Sequence, residues 1–154
     1  MQIGEIIPDT LGVDAEGRMM TASGDYPNTP LIVYFYPKDN TPGCTAEACS
    51  IRDGFAELRD RGYVVIGISR DSSESHKRFA AKYELPFTLL TDTTGEVCEA
   101  FGVWQKKKMC GREYMGIVRT TFITDANHKL THIIGKVNTK DAANQILNVI
   151  DGIK

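Results

Sequence analysis

The sequence predicts an α/β protein in which a mixed central β-sheet carries helices on both of its faces. Short apolar runs rich in β-branched and aromatic residues, such as Leu31–Tyr36 and Tyr63–Ser69, are typical of buried strands. Helical segments separate these runs, and this alternation predicts right-handed crossovers with helices on both faces. Two more strand-like segments around a turn near the C-terminal end predict an antiparallel pair, so the sheet should be mixed. With 154 residues and no visible linker or repeat, residues 1–154 are expected to form one domain.

The first half of the chain is expected to begin with a β-hairpin and to contain one long helix between two buried strands. Residues 11–13 and 18–21 flank an Asp-Ala-Glu-Gly segment, which is typical of a hairpin turn. Thr41 suits the N-cap of a helix and Pro42 suits its first position. The helix is therefore predicted to run from there to about Arg61, where a glycine follows.

The second half is expected to alternate helices and strands and to end on an amphipathic helix. The predicted elements are a helix from Ser72 to about Glu84, a strand at Phe87–Leu90, a short helix at Gly95–Phe101, strands at Thr120–Thr124 and Leu130–Ile134, and a helix from about Lys140. The apolar stripe of that last helix consists of Ala143, Ile146, Leu147, Ile150 and Ile153. The lysine run 106–108 is interpreted as a solvated loop.

Charge and composition exclude several classes of protein. Lys plus Arg number 18 and Asp plus Glu number 20, and the resulting formal charge of −2 argues against a sequence-independent nucleic-acid binder. The sequence contains neither an apolar run long enough to span a membrane nor a visible secretory signal, so the reducing cytosol is the expected compartment. Four cysteines in that compartment are expected to be catalytic, metal-binding or inert rather than a disulfide framework.

Cys44 lies where a reactive thiol is expected. It occupies the third position of a predicted helix, just beyond a buried strand, and sites in open α/β sheets gather outside the carboxyl ends of strands. The N–H groups and positive partial charge of a helix N-terminus favour the thiolate, which is the nucleophilic form of cysteine. The alternative is an inert buried thiol.

Cys49 follows Cys44 on the same predicted helix. In a regular helix this spacing puts the two Cα atoms about 8.6 Å apart, whereas a disulfide needs Cα atoms within about 7 Å. The two thiols can therefore bond only if the first turns unwind, which Gly43 and Thr45 make easier. A helical wheel puts Cys44 on the core-facing stripe and Cys49 towards solvent.

The other two cysteines and the three histidines are not expected to belong to this site. Cys98 is interpreted as a core residue of a short helix and Cys110 as an exposed loop thiol, with a resolving or regulatory role as the alternative for either. Their spacing, with no histidine between them, disfavours a zinc site. His76, His128 and His132 lie near no motif and are expected at the surface.

Arg119 opens a predicted strand and has two interpretations. An arginine at a strand end can be a solvated edge charge. The functional alternative is a fixed cation beside the thiolate, because arginine stays charged and presents several rigid donors.

Two segments taken together resemble the peroxiredoxins, in the bacterioferritin comigratory protein branch, also called peroxiredoxin Q. Tyr36–Cys49 contains the family's P-x₃-T-x₂-C signature, and Gly116–Phe122 contains the distant arginine. The resemblance covers essentially the whole chain. It implies a thioredoxin-like fold and a peroxidase that reduces hydrogen peroxide and organic hydroperoxides through its own thiols, with no cofactor.

The resemblance also implies a role for each residue of the signature. Cys44 would be the peroxidatic cysteine, Thr41 would hydrogen-bond the peroxide, and Pro37 would shield the thiolate. Arg119 would stabilise the thiolate and the leaving oxygen. Glu47 lies where the family usually has a glutamate that orients this arginine.

Cys49 lies where many members of this branch have their resolving cysteine. Other members carry it on the following helix, which contains no cysteine in this chain. The expected cycle forms an intramolecular Cys44–Cys49 disulfide, which thioredoxin or a similar dithiol then reduces. The branch is often monomeric, so a monomer is expected, with neither nucleic acid nor a membrane as a partner.

Two rival functions are weighed against this peroxidase. A disulfide reductase of the same fold is disfavoured because the sequence has no C-x₂-C pair. A thiol-based redox sensor or redox-switched holdase would also be oxidised at Cys44, and unwinding of the helix would expose apolar surface to a partner. Steady-state turnover distinguishes these classes, because a sensor would be oxidised once and turn over poorly.

Overall fold

A seven-stranded sheet organises the chain, and the computed structural model describes residues 1–152. Its elements are β1 (Thr10–Val13), β2 (Met19–Thr21), α1 (Ala22–Asp25), β3 (Leu31–Phe35), α2 (Pro42–Asp53), α3 (Phe55–Asp60), β4 (Val64–Ser69), α4 (Ser73–Tyr83), β5 (Thr88–Thr91), α5 (Glu96–Ala100), β6 (Trp104–Met109), β7 (Arg112–Ile117), β8 (Thr120–Thr124), β9 (Leu130–Ile134) and α6 (Ala142–Ile150). Ile153, which was expected on the apolar stripe of the last helix, lies outside the described residues.

The sheet is mixed, as the sequence predicts. Its strand order is β2-β1-β5-β4-β3-β8-β9. Strand β3 pairs in parallel with β4, and β4 pairs in parallel with β5. The remaining pairs are antiparallel, including the N-terminal β1–β2 hairpin and the closing β8–β9 pair. Strand β3 is therefore an interior strand, and both of its edges are hydrogen-bonded.

Helices cover both faces of the sheet, because strands such as β3 are apolar on each side. Leu31, Val33 and Phe35 pack on one face with residues of α1 and α5. Ile32 and Tyr34 pack on the other face with residues of α2, α3, α4 and α6. The predicted placement of helices on both faces is confirmed, and Cys44 in the first turn of α2 is buried against the second face.

The long helix expected after Thr41 is broken at Gly54, so the prediction of one continuous helix to Arg61 is wrong. Helix α2 ends at Asp53 and α3 begins at Phe55. A Cβ atom at Gly54 would lie 2.5 Å from the Cβ of Ala143 in α6, so only glycine allows α6 to pack this closely.

The lysine run 106–108 is not a loop but part of β6, which pairs with β7 in a separate two-stranded sheet. The turn of this hairpin consists of Cys110 at φ 53° and Gly111 at φ 80°. Two successive residues with positive φ are typical of a two-residue hairpin turn. Cys110 is exposed, as expected, at the tip of the hairpin.

Candidate active site

Cys44 lies in the first turn of α2, directly after the loop that leaves β3. Helix α2 begins at Pro42 with Thr41 as its N-cap residue, and the Thr41 carbonyl accepts the hydrogen bond from the N–H of Thr45 at 2.8 Å. Cys44 is only 2% exposed. The predicted N-cap position is confirmed, although the hydroxyl of Thr41 does not cap the helix and instead donates to the Lys38 carbonyl at 3.0 Å.

Arg119 reaches Cys44 because β8 pairs with β3 in antiparallel register. Phe35 is the partner of Thr120, so the residue before β8 lies beside the end of β3. The Nη2 atom of Arg119 donates to the Sγ atom of Cys44 at 3.4 Å. The guanidinium therefore lies beside the sulfur and is not a solvated edge charge.

Gly43 allows this contact. A Cβ atom on Gly43 would lie 3.2 Å from the Nη2 atom of Arg119, the nitrogen that also donates to the sulfur. Any larger side chain at this position would press on the guanidinium, so a glycine at position 43 matters for the position of the cation.

Glu47, one turn further along α2, forms an ion pair with Arg119. Its Oε1 atom accepts from Nη1 of Arg119 at 2.6 Å. Its Oε2 atom is buried and has no hydrogen-bond partner among residues 1–152. Burial raises the pKa of Glu47 to about 7, although the charge of Arg119 opposes this shift. Burial acts to lower the pKa of Arg119, but Glu47 and Cys44 outweigh it and hold that pKa above its ordinary value.

Pro37 is half-buried and borders a surface cavity of about 410 Å³. The cavity is lined on its far side by the β6–β7 hairpin, including Trp104 and Tyr114. The guanidinium of Arg70 lies 5.1 Å from the centre of the Trp104 ring, a cation–π distance. The approach to the loop before α2 is therefore partly apolar and carries positive charge.

Cys49 lies on the same uninterrupted helix as Cys44. It is partly exposed, whereas Cys44 is buried, as the helical wheel predicts. Within the described part of the chain neither thiol is in a disulfide. Since both residues lie within the regular span of α2, an intramolecular bond requires this helix to open.

Cys98 is fully buried in α5, in agreement with its interpretation as a core residue. Burial, together with the hydrogen bond and charge of Asp92, raises the pKa of its thiol well above the ordinary value. Residues 1–152 contain no group of three or more His, Cys, Asp or Glu side chains that could hold a metal ion. In the same range, no helix has the length and apolar character needed to cross a bilayer.

A buried polar network beside the site was not predicted from the sequence. The hydroxyl of Tyr36 donates to Oδ1 of Asp39 at 2.6 Å, and Nδ1 of His76 lies 2.7 Å from Oδ2 of Asp39. His76 is 4% exposed and His128 is 8% exposed, so their expected surface positions are wrong. The signal for His76 was its spacing from Phe79, because positions three apart share one face of α4.

Comparisons with known proteins agree with this fold and site. The profile of the AhpC/TSA family matches residues 3–133. The chain is 42% identical over 150 residues to Peroxiredoxin Bcp of Bacillus subtilis, covering 97% of this chain and 95% of the relative. It is 41% identical over 148 residues to Peroxiredoxin Bcp of Escherichia coli K12, covering 96% of this chain and 94% of the relative.

Two solved structures show the same architecture. The bacterioferritin comigratory protein of Xanthomonas campestris superposes with a TM-score of 0.86 at 30% identity, covering 98% of each chain. The PrxQ protein of Xylella fastidiosa superposes with a TM-score of 0.88 at 32% identity, covering 99% of this chain and 96% of that one.

The fold and the buried thiol define a thioredoxin-like protein that works by cysteine chemistry. The predicted fold class, with its mixed sheet and N-terminal hairpin, is confirmed. The chain belongs to the AhpC/TSA family, as a peroxiredoxin of the Bcp or peroxiredoxin Q branch. It is a thiol-dependent peroxidase, an antioxidant enzyme that reduces peroxides.

Proposed function

We propose that this peroxidase uses Cys44 as its peroxidatic cysteine, Cys49 as its resolving cysteine and thioredoxin or a similar dithiol protein as its reductant. Its substrates are hydrogen peroxide and organic hydroperoxides. The observation that carries the proposal is the 3.4 Å contact between Nη2 of Arg119 and Sγ of Cys44 at the N-terminus of α2. A helix N-terminus and a guanidinium both favour the thiolate that attacks a peroxide.

In the first step the Cys44 thiolate attacks one peroxide oxygen. A sulfur–oxygen bond forms as the oxygen–oxygen bond breaks, and the second oxygen leaves with the electron pair. That oxygen takes up a proton and departs as water or an alcohol, and Cys44 becomes a sulfenic acid. Arg119 offsets the negative charge on sulfur and on the leaving oxygen while the bond breaks.

Thr41 and Pro37 orient the peroxide and exclude water. The hydroxyl proton of Thr41 is committed to the Lys38 carbonyl at 3.0 Å, so its oxygen lone pairs are available. These lone pairs accept the O–H of the bound hydroperoxide, while Arg119 donates to it from the other side. Pro37 covers the thiolate with a ring that has no N–H to donate. Glu47 keeps Arg119 in position through the ion pair at 2.6 Å.

In the second step the Cys49 sulfur attacks the sulfur of the Cys44 sulfenic acid. The disulfide forms, and the hydroxyl leaves as water with the proton of Cys49. The first turns of α2 must unwind for this bond to form. A dithiol reductant then gives two electrons and two protons to the disulfide and becomes a disulfide itself.

A pair of cysteine variants tests the peroxidatic role. Cys44→Ser should reduce peroxide turnover in the presence of thioredoxin to less than about a tenth of the wild-type rate, because a serine hydroxyl is a poor nucleophile towards an oxygen–oxygen bond. Cys110→Asn is the matched control, since it removes an exposed thiol and asparagine tolerates positive φ. Turnover above a tenth in Cys44→Ser would remove Cys44 from this role.

Peptide mapping after one equivalent of peroxide tests the resolving role. The expected product is a Cys44–Cys49 disulfide under non-reducing conditions. In Cys49→Ser, Cys44 should persist as a sulfenic acid and over-oxidise more readily. A disulfide from Cys44 to Cys98 or Cys110, with Cys49 still reduced, would assign the resolving role to that other cysteine.

We also propose that the chain acts as a single-domain monomer in the reducing cytosol. The ordinary composition, the formal charge of −2 and the resemblance of the whole chain to a branch that is often monomeric support this. Sedimentation of the reduced and oxidised protein measures the oligomeric state, and a dimer in both states would contradict it.

A further inference from the structure

The loop from Tyr36 to Thr41 is fastened to the rest of the protein through Asp39. Oδ1 of Asp39 accepts from the hydroxyl of Tyr36 at 2.6 Å. Oδ2 accepts from the hydroxyl of Ser75 at 2.8 Å and lies 2.7 Å from Nδ1 of His76. Its backbone N–H donates to Oδ2 of Asp71 at 2.6 Å. One loop residue is therefore held by Tyr36 directly after β3, by α4 and by the segment between β4 and α4.

His76 joins Asp39 to β5. Its Nδ1 atom lies 2.7 Å from Oδ2 of Asp39, and its Nε2 atom lies 3.1 Å from the carbonyl oxygen of Leu90 in β5. The hydroxyl of Tyr36 also lies 3.3 Å from Nδ1. The side chains of His76 and Asp39 are 5% and 3% exposed, so this contact is shielded from water.

Asp71 lies close to this pair. The hydroxyl of Ser69 is 3.5 Å from Nε2 of His76 and donates to Oδ2 of Asp71 at 3.1 Å. Burial acts to raise the pKa of Asp39, but the hydrogen bonds from His76 and Tyr36 outweigh it and hold that pKa below its ordinary value. Asp39 therefore accepts these hydrogen bonds as a carboxylate.

The anchored loop makes a second contact with α4 at Asn40. This residue has φ 60°, a left-handed conformation that asparagine tolerates better than most residues do. Its Oδ1 atom accepts from the hydroxyl of Tyr83 in α4 at 3.1 Å. Two successive loop residues are therefore hydrogen-bonded to α4.

We propose that the hydrogen-bonded residues Asp39 and His76 form a positioning pair for the peroxide step, which sets the direction of the Thr41 hydroxyl. Asp39 is bonded to Lys38, whose carbonyl accepts the proton of Thr41. Because Asp39 is held on α4, the neighbouring Lys38 carbonyl has a fixed position. The hydroxyl proton of Thr41 points to that carbonyl, so the direction of the Thr41 lone pairs towards the peroxide is also fixed. The inference rests on the proposed roles of Cys44 and Thr41.

Two histidine variants test the proposal. In His76→Gln, a flexible amide replaces the rigid imidazole ring, and kcat/KM for hydrogen peroxide should fall about tenfold or more. The value of kcat/KM for the dithiol reductant should stay within about twofold, because reduction of the disulfide does not use Thr41. His128→Gln is the matched control: His128 is also buried and bonded to a carbonyl, that of Tyr26 at 2.8 Å, and both constants should be unchanged.

A fall in kcat/KM for peroxide without a fall in kcat/KM for the reductant distinguishes a positioning role of His76 from a role in stability alone. A purely structural role would lower both constants by the same factor, through the folded fraction, and that result would overturn the proposal. An unchanged constant for peroxide in His76→Gln would overturn it as well. If Cys44 were not peroxidatic, Cys44→Ser would stay active, whereas failure of the present inference alone leaves Cys44→Ser inactive and His76→Gln unaffected.

A measurement on the wild-type protein tests the contact directly. ¹⁵N NMR of histidine-labelled protein should show Nδ1 of His76 carrying a proton, because this atom faces the carboxylate of Asp39 at 2.7 Å. Assignment of the signals uses the Asp39→Asn variant, in which the His76 signals alone should move. A lone-pair signal from Nδ1 of His76 in the wild-type protein would contradict the pairing.

Discussion

The guanidinium of Arg119 is shared between a sulfur and a carboxylate. It lies 3.4 Å from Sγ of Cys44 and 2.6 Å from Oε1 of Glu47. Arg119→Ala should lower kcat/KM for peroxide at least tenfold, a loss of about 1.4 kcal/mol or more of transition-state stabilisation, measured by stopped-flow kinetics. Alkylation of Cys44 at neutral pH should slow as well, because the cation that favours the thiolate is gone. Arg59→Ala, on the exposed surface of α3, is the control, and equal rates in the two variants would contradict the assignment.

Glu47 gives the stability of the protein a pH dependence. Burial raises its pKa from 4.5 to about 7 in the folded state. Between these values the folded protein keeps a proton that the unfolded chain has lost. Binding of this proton stabilises the folded protein. The stabilisation is fully present below the unfolded pKa and is lost as the pH rises through the folded pKa, a change of at most about 3 kcal/mol in the free energy of unfolding.

Urea unfolding at pH 5 and pH 8 measures this effect, with Glu47→Gln as the comparison. Glutamine cannot titrate but its amide oxygen can still accept from Arg119, so the variant should lose less stability than the wild type over this interval. Parallel losses in the two proteins would show that Glu47 does not titrate in this range.

The local part of the site could be predicted from the sequence, and the tertiary part only in outline. Thr41 and Cys44 lie within one turn, so their spacing alone indicates a helix start with a reactive thiol. Arg119 had two interpretations, and only the register of β8 against β3 decides between them. Asp39 and His76 lie 37 positions apart and match no local motif, so the contact between them had to be seen in three dimensions.

At the scale of elements, the α2–α3 break shows how packing overrides local pattern. The segment from Pro42 to Asp60 is helical on both sides of Gly54, but α6 comes so close that a Cβ atom there would lie 2.5 Å from the Cβ of Ala143. This contact lies between residues 89 positions apart, so the local sequence shows the glycine but not the helix that requires it. Gly54 is therefore required by a neighbouring helix rather than by its own backbone conformation.

Gly54→Ala should lower the free energy of unfolding by about 1–3 kcal/mol, because α6 must move away to accommodate the methyl group. Urea denaturation monitored by circular dichroism measures the change. Gly135→Ala is the matched control, since a Cβ atom at Gly135 meets nothing within 4 Å and its φ is not positive. Equal stability of the two variants would contradict the packing argument.

Strand prediction succeeded where strands are buried and failed where they are exposed. The strands Thr120–Thr124 and Leu130–Ile134 have the predicted bounds, because their apolar runs face the core. Strands β6 and β7 are mostly exposed and rich in charged and polar residues, so apolar periodicity gives no signal for them. The available signal was the Cys110–Gly111 pair, since a glycine in a short polar turn indicates a hairpin.

At the scale of the whole molecule, the strand order brings the site together. Strand β3 lies between β4 and β8, so the loop that leaves it meets both the segment after β4 and the residue before β8. Cys44 and Arg119 become neighbours although 75 positions separate them. The sequence predicted a mixed sheet but not this strand order. Alternation of strands and helices constrains the handedness of the crossover connections, but it does not determine where the last two strands lie in the sheet.

This architecture predicts that oxidation opens one part of the molecule and leaves the rest closed. A Cys44–Cys49 disulfide is incompatible with a regular helix, in which the Cα atoms are about 8.6 Å apart. Helix α2 is anchored at its far end by Ile51, which is fully buried, whereas its first turns include the exposed Pro42 and half-buried Gly43. Strand β3 is hydrogen-bonded along both edges, to β4 and to β8, and cannot move with the helix.

Amide hydrogen exchange before and after one equivalent of peroxide measures this opening. Exchange of the amides from Thr45 to Cys49 should rise in the disulfide form, while those of Leu31–Phe35 stay protected, because opening of the helix start does not break the bonds of the sheet. Cys49→Ser provides the control: its oxidised form carries no disulfide, so α2 should stay as protected as in the reduced protein. If the amides of residues 45–49 stay equally protected in the wild-type disulfide form, a region other than the start of α2 must open. If β3 loses protection, the sheet opens together with the helix.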